Sequence, residues 1–231
     1  MSMFERLENT YNLDSLYRLS KKTVCILGLG GGGCVVAEIL ARTGVRKFIL
    51  VDGDVIEESN KNRQICALDS TLGKYKVDVI AERLKDINPD ASVVTYKEAI
   101  SKDNCVQIIC SNKTDIVCDT TDGDSKLLVA DICKDLSMPY VTGGCGGYSW
   151  FTAPIDNEEI VGRDIWGYKE NFSGSFSPSP NPATIFIQGG FQAQEVINML
   201  LERDWNMNGK KIMFNHMDYS FSIRDAKEED E

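Results

Sequence analysis

A single histidine, no cysteine beyond Cys145 and a deficit of positive charge are what this 231-residue chain most clearly goes without. With only His216, far toward the C-terminal end, a nicotinamide-dependent dehydrogenase would be short of its usual proton-transfer residue, and that class stands as a minor alternative. Lysine and arginine number 25 against 35 aspartates and glutamates, a formal charge of -10. Such a balance disfavours non-specific attraction to nucleic-acid backbones or anionic lipid, and makes a basic or neutral protein a better partner than tRNA. No apolar run approaches the length of a membrane span, and the first residues lack the layout of a secretory signal. The expectation is a soluble cytoplasmic protein without membrane attachment.

The eight cysteines, at 25, 34, 66, 105, 110, 118, 133 and 145, include no Cys-x-x-Cys pair. A zinc ribbon therefore has no ligands and a disulfide scaffold no regular framework, so most of these thiols read as small buried hydrophobes in a reducing compartment. Internal repeats, a second domain and a Pro-rich linker are also missing, and the length suits one large α/β domain.

What is present is organised around residues 23–64. Thr23–Leu27 is a short apolar strand that runs directly into Gly28-Leu29-Gly30-Gly31-Gly32-Gly33, which fits Gly-x-Gly-x-x-Gly. In that pattern one glycine permits the tight turn, one lets backbone approach a phosphate, and one packs helix on strand. An amphipathic run to Arg42 with Gly44 as its stop predicts a helix whose positive end faces the bound anion. A second strand, Phe48–Val51, ends at Asp52, placed to accept from ribose hydroxyls. Arg63 and Lys76 follow close behind, as phosphate chemistry requires, although solvated surface charge is the plainer reading of both.

Further on, Val77, Ile80, Ala81, Leu84 and Ile87 predict an amphipathic helix with Lys76 in its opening turns, stopped by Asn88-Pro89. Ser92–Tyr96 and Thr114–Asp119 read as strands, the second ending in Thr120-Thr121-Asp122, a carboxylate facing the same crevice as the glycine turn. An N-cap for the helix Lys126 to Leu136 is the alternative role for Asp122. Met138–Thr142 is a strand running into Gly143-Gly-Cys145-Gly-Gly147, open to close approach by an extended peptide, with Cys145 read as an internal small residue. A helix is expected over 184–202, its Gly189-Gly190 serving close packing at a dimer interface or a kink, and then two closing strands. The expected organisation is an N-terminal helical extension over 1–20, one domain over 21–224 with 151–182 as an irregular crossover loop, and a disordered charged tail over 225–231. The fold class is α/β, a Rossmann-like, mainly parallel sheet with helices on both faces, closed by a C-terminal antiparallel extension.

Asn60-x-x-Arg63-Gln64, Lys76, Ile87-Asn88-Pro89, Cys118-Asp119-Thr120-Thr121-Asp122, Pro139-Tyr-Val-Thr-Gly143 and the helix near Gln192 to Leu201 recur in the order of one family. Over nearly the whole chain the sequence resembles the ThiF/MoeB/HesA family of activating enzymes, prokaryotic relatives of the ubiquitin-activating enzymes. The resemblance implies an ATP-dependent adenylyltransferase that activates a carboxylate with magnesium. It implies nucleotide binding by Gly28, Gly30, Gly31, Gly33, Asp52, Asp54, Asn60, Arg63, Gln64, Lys76 and Asp122, with Asp122 contacting magnesium. Arg63, Lys76 and Asp122 would be catalytic, joined across a homodimer by an N-terminal arginine: Arg6, or Arg18 as second candidate. Family members that pass their substrate to a thiol carry that cysteine within the region of residues 151–182, where this chain has none, so adenylation without a transfer step is expected.

For the acceptor, the resemblance favours the C-terminus of a small ubiquitin-like sulfur-carrier protein or a peptide. Asn60-x-x-Arg63-Gln64-Ile-Cys-Ala-Leu, Ala81-Glu-Arg-Leu-x-x-Ile-Asn-Pro and Thr142-Gly-Gly-Cys-Gly-Gly resemble instead the tRNA threonylcarbamoyladenosine dehydratase branch, against which the acidic balance argues. A catalytically silent homologue that binds a partner protein is the alternative from another class.

Overall fold

Every residue of β1 (Thr23–Leu27) is buried, as its apolar sequence requires of a central parallel strand. On one side it pairs in parallel with β2 (Lys47–Val51), which pairs in parallel with β3 (Ser92–Tyr96). On the other it pairs in parallel with β4 (Ile116–Asp119), which pairs in parallel with β5 (Tyr140–Gly146). Beyond β5 the sheet turns antiparallel through β6 (Ser149–Ile155), β7 (Lys210–Asn215) and β8 (Ser220–Asp225), giving the order β3-β2-β1-β4-β5-β6-β7-β8. This structure, a computed structural model, describes residues 3–156, 160, 164–165, 181–204 and 207–227.

The connecting helices are α1 (Glu8–Lys21), α2 (Gly31–Thr43), α3 (Lys76–Ile87), α4 (Lys102–Ser111), α5 (Asp124–Asp135) and α6 (Pro182–Leu200). Side chains alternate along the strands, so Val24, Ile26, Phe48 and Leu50 share one core with α1, α2, α3 and α6, whereas Cys25, Leu27, Ile49 and Val51 share another with α4 and α5. In α3 the buried Val77, Ile80 and Leu84 lie on one face, each stabilising the fold by about 1.5–3 kcal/mol through burial. Gly44 ends α2 with a φ of 108°, a left-handed conformation that a side chain would resist. The chain moves outward from β1 to β2 and β3 and then returns to β4 on the far side of β1, so the connections leaving the paired carboxyl ends of β1 and β4 diverge and leave a crevice above them.

Several expectations from sequence are corrected here. Residues 151–155 are not loop: they complete β6, paired with both β5 and β7, while most of 157–180 lies outside the described residues. The glycines after Thr142 are likewise strand, since Gly143 to Gly146 pair with Thr152 to Ser149 in a hairpin. At the chain's end Asp225 belongs to β8 and Ala226 is buried with its N–H donating to Gly209 O, so the tail is structured through these positions; residues 228–231 lie outside the described residues. Gly189 packs inside the monomer, where an added Cβ would lie 2.8 Å from the Val35 side chain, so its small size serves α2–α6 contact rather than an interface. Asp122 caps nothing, because α5 begins after Gly123 without a side-chain cap. In α1 the backbone breaks at Asn12, whose side-chain oxygen accepts from the Ser15 N–H and restarts the helix.

Candidate nucleotide site

The glycine turn stands at the crevice between β1 and β4. Gly28 has a φ of 88°, and its ideal Cβ would lie 2.8 Å from Thr120 O, so neither conformation nor space admits a side chain. Gly33, in the first turn of α2, sits so close that a Cβ would meet Gly28 O at 2.2 Å. That packing holds the N-terminus of α2 against the end of β1. The first intrahelical bond is Cys34 N–H to Gly30 O at 3.1 Å, leaving the amides of residues 31–33 without intrahelical acceptors, and no side chain caps Gly30. Nothing lies within 4 Å of where a Gly30 Cβ would be. The helix thus presents amides and its positive end to open space, as an anion site requires.

That space is a cavity of about 510 Å³ lined by Gly28, Gly30, Gly31, Asp52, Asp54, Asn60, Arg63, Gln64, Lys76 and Asp122, so the fold brings the expected nucleotide residues together. Gly31 contributes by fit, since a Cβ there would strike the Ile185 side chain at 2.7 Å and approach Arg63 O at 3.1 Å. Asp52 uses one oxygen to accept the Leu29 N–H at 2.6 Å and the other to accept the Asp54 N–H at 2.8 Å. Its remaining lone pairs are free for ligand hydroxyls. Lys76 donates to Asp54 Oδ2 at 2.7 Å and lies 3.8 Å from Asp52 Oδ1. Arg63 is held from behind by Ser59 O at 3.0 Å and Asn62 Oδ1 at 2.8 Å.

Asn60 is partly spent on structure: its Oδ1 accepts the Glu57 N–H at 3.1 Å and closes a short 3-10 turn. Gln64 is buried with its Oε1 unpartnered, an acceptor still unused at the cavity wall. Asp122 forms no hydrogen bond or ion pair among the described residues, which leaves its carboxylate available. Cys145 lines the same cavity, but burial, and then the Asp122 carboxylate, push its thiol up to about 12. At neutral pH it is a protonated thiol and a poor nucleophile.

Neither N-terminal arginine lines this cavity. Arg18 is engaged within the chain, 3.3 Å from Glu202. Arg6 follows Phe4, whose ring faces Gly44 at the far end of α2, about 20 Å of helix away from the glycine turn. In its own chain Arg6 is at the wrong end of the sheet to touch a nucleotide.

Sequence reasoning gave no role to a buried polar network beneath Gly143. Asp119 accepts from the Thr121 and Thr142 hydroxyls, each at 2.6 Å, and lies 3.6 Å from Lys126, whose ammonium donates to Gly143 O at 2.6 Å. Gln192 donates to Asp119 O at 2.8 Å and Val141 O at 3.0 Å, and Gln188 donates to Gln192 Oε1 at 2.7 Å. Gln188 and Gln192, four residues apart and so on one face of a largely apolar helix, were the available signal, because buried amides need partners.

Fold and site together define an α/β protein of Rossmann-like architecture with a glycine-turn cavity suited to an anionic ligand. The chain belongs to the ThiF family, whose match covers residues 4–231. Among curated relatives, a tRNA threonylcarbamoyladenosine dehydratase of Haemophilus influenzae is 37% identical over 146 residues, 62% of this chain and 56% of that protein. The match thus spans little more than half of that relative's length. A SAMP-activating enzyme E1 of Haloferax volcanii is 26% identical over 88% of this chain and 76% of its own. The crystal structure of Escherichia coli MccB with ATP superposes with a TM-score of 0.83 at 22% identity, covering 97% of this chain and 72% of that one, a likeness of fold. Among the described residues no helix is long and apolar enough to cross a membrane.

Proposed function

We propose that this chain is an ATP-dependent adenylyltransferase that activates a carboxylate, with the C-terminus of a small carrier protein or peptide as first acceptor. The observation that carries the reading is the convergence on one cavity of bare helix amides, Asp52, Lys76, Arg63 and an unengaged Asp122. In the reaction the acceptor carboxylate attacks the α-phosphorus of ATP, an acyl-adenylate forms, and pyrophosphate leaves. The carboxylate is already ionised, so no general base is needed. Lys76 and Arg63 stabilise the charge that moves onto the leaving group. Arg6 is assigned to the partner's site in a homodimer, since its own site is out of reach.

Magnesium fits Asp122 as a phosphate-bound ion that keeps most of its water: the described residues contain no cluster of three or more His, Cys, Asp or Glu side chains. It would offset phosphate charge. The acceptor's way in is supported by register. The last β4–β5 pair is Asp119 with Thr142, while β5 continues to Gly146, so the edge of Gly143–Gly146 toward β4 is free of strand, and Gly143, Gly144 and Cys145 line the cavity. The activated acyl group is released rather than transferred to Cys145, whose raised thiol disfavours attack.

A second reading, a tRNA threonylcarbamoyladenosine dehydratase, is favoured by three curated relatives of that name at 33–43% identity over 42–67% of this chain. The same chemistry serves, because the threonyl moiety carries a carboxylate to activate. Isotope exchange between pyrophosphate and ATP separates the readings. Magnesium-dependent exchange stimulated by peptides ending in Gly-Gly supports the first; stimulation by threonylcarbamoylated tRNA alone supports the second. ATP binding without exchange for any acceptor would identify a silent, partner-binding homologue.

A further inference from the structure

The sulfur atoms of Cys34 and Cys66 lie 3.2 Å apart, both buried in the wall behind the cavity. All eight cysteines are free thiols, and no other hydrogen-bonded pair of them occurs among the described residues. Cys34 stands in the first turn of α2 directly behind the glycine turn, and its Sγ also approaches Leu29 O at 3.2 Å. Cys66 follows Arg63-Gln64 in the adjoining segment, which also lines the cavity. We propose that Cys34 and Cys66 form a reversible disulfide that weakens nucleotide binding. The proposal rests on the reading of this cavity as a nucleotide site.

The chemistry divides unequally between the two thiols. The hydrogen bond from Cys34 holds the Cys66 thiol below its ordinary range despite burial, and the nearby Lys76 ammonium acts in the same direction. Cys34 is pushed up by the same bond and by burial. Cys66 is therefore the attacking sulfur, and with 2% exposure it is the less enclosed of the two. With a peroxide as oxidant, the Cys66 thiolate attacks one oxygen, the O–O bond breaks, and hydroxide leaves to take up the proton Cys66 had lost. Cys34 then attacks the sulfenic acid, its proton leaving with the hydroxyl as water. Two thiols are oxidised and one peroxide is reduced to two waters. By contrast Cys25, Cys118 and Cys133 are pushed up by burial above all, with no cation strong enough to reverse it.

A disulfide bond is about 2.05 Å long, so the sulfurs must close by about 1 Å. The wall has little slack to give. Arg63 O already lies 3.1 Å from the position of a Gly31 Cβ, and Gly33 is pressed on Gly28. Closure is therefore taken up by the glycine turn or by the segment carrying Arg63, both of which line the cavity.

The experiment treats the full chain with hydrogen peroxide, maps linked peptides by mass spectrometry, and titrates ATP by calorimetry before and after dithiothreitol. Expected are a Cys34–Cys66 linked peptide, a loss of ATP affinity of about tenfold or more, and recovery on reduction. Cys66→Ala and, independently, Cys34→Ala should bind ATP like the reduced protein and ignore peroxide. The proposal is overturned by absence of the linked peptide, by a linked protein of unchanged affinity, or by alanine variants that still lose affinity. Failure of the reduced protein to bind ATP would count against the nucleotide reading, while the linked peptide would still decide whether the pair oxidises.

Discussion

Two aspartate–lysine pairs flank β1, built alike, and only one is available to a ligand. In each, the carboxylate stands at the carboxyl end of a strand and the lysine in the first turn of the helix that follows: Asp52 after β2 with Lys76 of α3, and Asp119 of β4 with Lys126 of α5. The separations are nearly equal, 3.8 and 3.6 Å. A cation at a helix N-terminus opposes the helix dipole, so both lysines are held there by their carboxylates. The difference lies in what else the groups do. Asp52 and Lys76 keep free lone pairs and protons facing the cavity, and Lys76 leans on an exposed Asp54. Asp119 and Lys126 are each only 1% exposed and are engaged with Thr121, Thr142 and Gly143. The first pair borders the cavity proposed as the nucleotide site, and the second ties together the ends of β4 and β5.

That contrast is open to direct attack. Lys126→Met removes one partner of the enclosed pair and leaves Asp119 charged and uncompensated. Breaking a buried pair in this way costs about 3–5 kcal/mol. Urea denaturation should show that loss, and a midpoint within experimental error of the parent's would mean that Asp119 and Lys126 are not a structural unit. Lys76→Met should do the reverse, lowering ATP turnover about 10²–10³-fold. Its effect on stability should be the smaller, because Asp52 borders an open cavity whereas Asp119 is enclosed. If Lys76→Met destabilises as much as Lys126→Met while turnover per folded molecule is retained, the assignment of roles is reversed.

The legibility of the two pairs from sequence follows the same division. Asp52 and the glycine turn announce themselves because a strand–glycine–helix unit has a fixed period and few uses. The parallel strands through β5 follow from apolar strands alternating with helices, whereas the antiparallel close is expected from two closing strands and the family resemblance. Lys126 has no local signature of its role, since nothing near it in sequence reveals that Gly143 O and Asp119 converge on it from two strands. The β5–β6 hairpin was obscured for a related reason. Gly143 to Gly147 and Pro154 have poor strand propensity, and pairing with β7 and packing of Trp150 on Phe191 override it. The place of Gly189 against Val35 depends on how α6 crosses α2, which no periodicity encodes.

A third charged cluster gives the solvent-facing limit of the comparison. Glu38 of α2 accepts from Arg42 at 2.9 Å within its own helix and from Arg83 of α3 at 2.6 Å. Partial burial alone would raise its carboxyl, but the Arg83 and Arg42 hydrogen bonds outweigh that and hold it below the usual carboxylate range. A depressed folded-state value stabilises the folded chain above the unfolded carboxylate value, near pH 4.3, and the contribution disappears as pH falls through the folded value. Glu38→Gln should therefore cost about 1 kcal/mol or less at pH 7, and the difference from the parent should shrink to nothing in acid. Added salt should shrink it too, since Arg42 and Arg83 reach water, whereas the loss in Lys126→Met should be nearly insensitive to salt. A Glu38→Gln loss that persists unchanged at low pH would show that packing of the side-chain stem, rather than charge, joins α2 to α3.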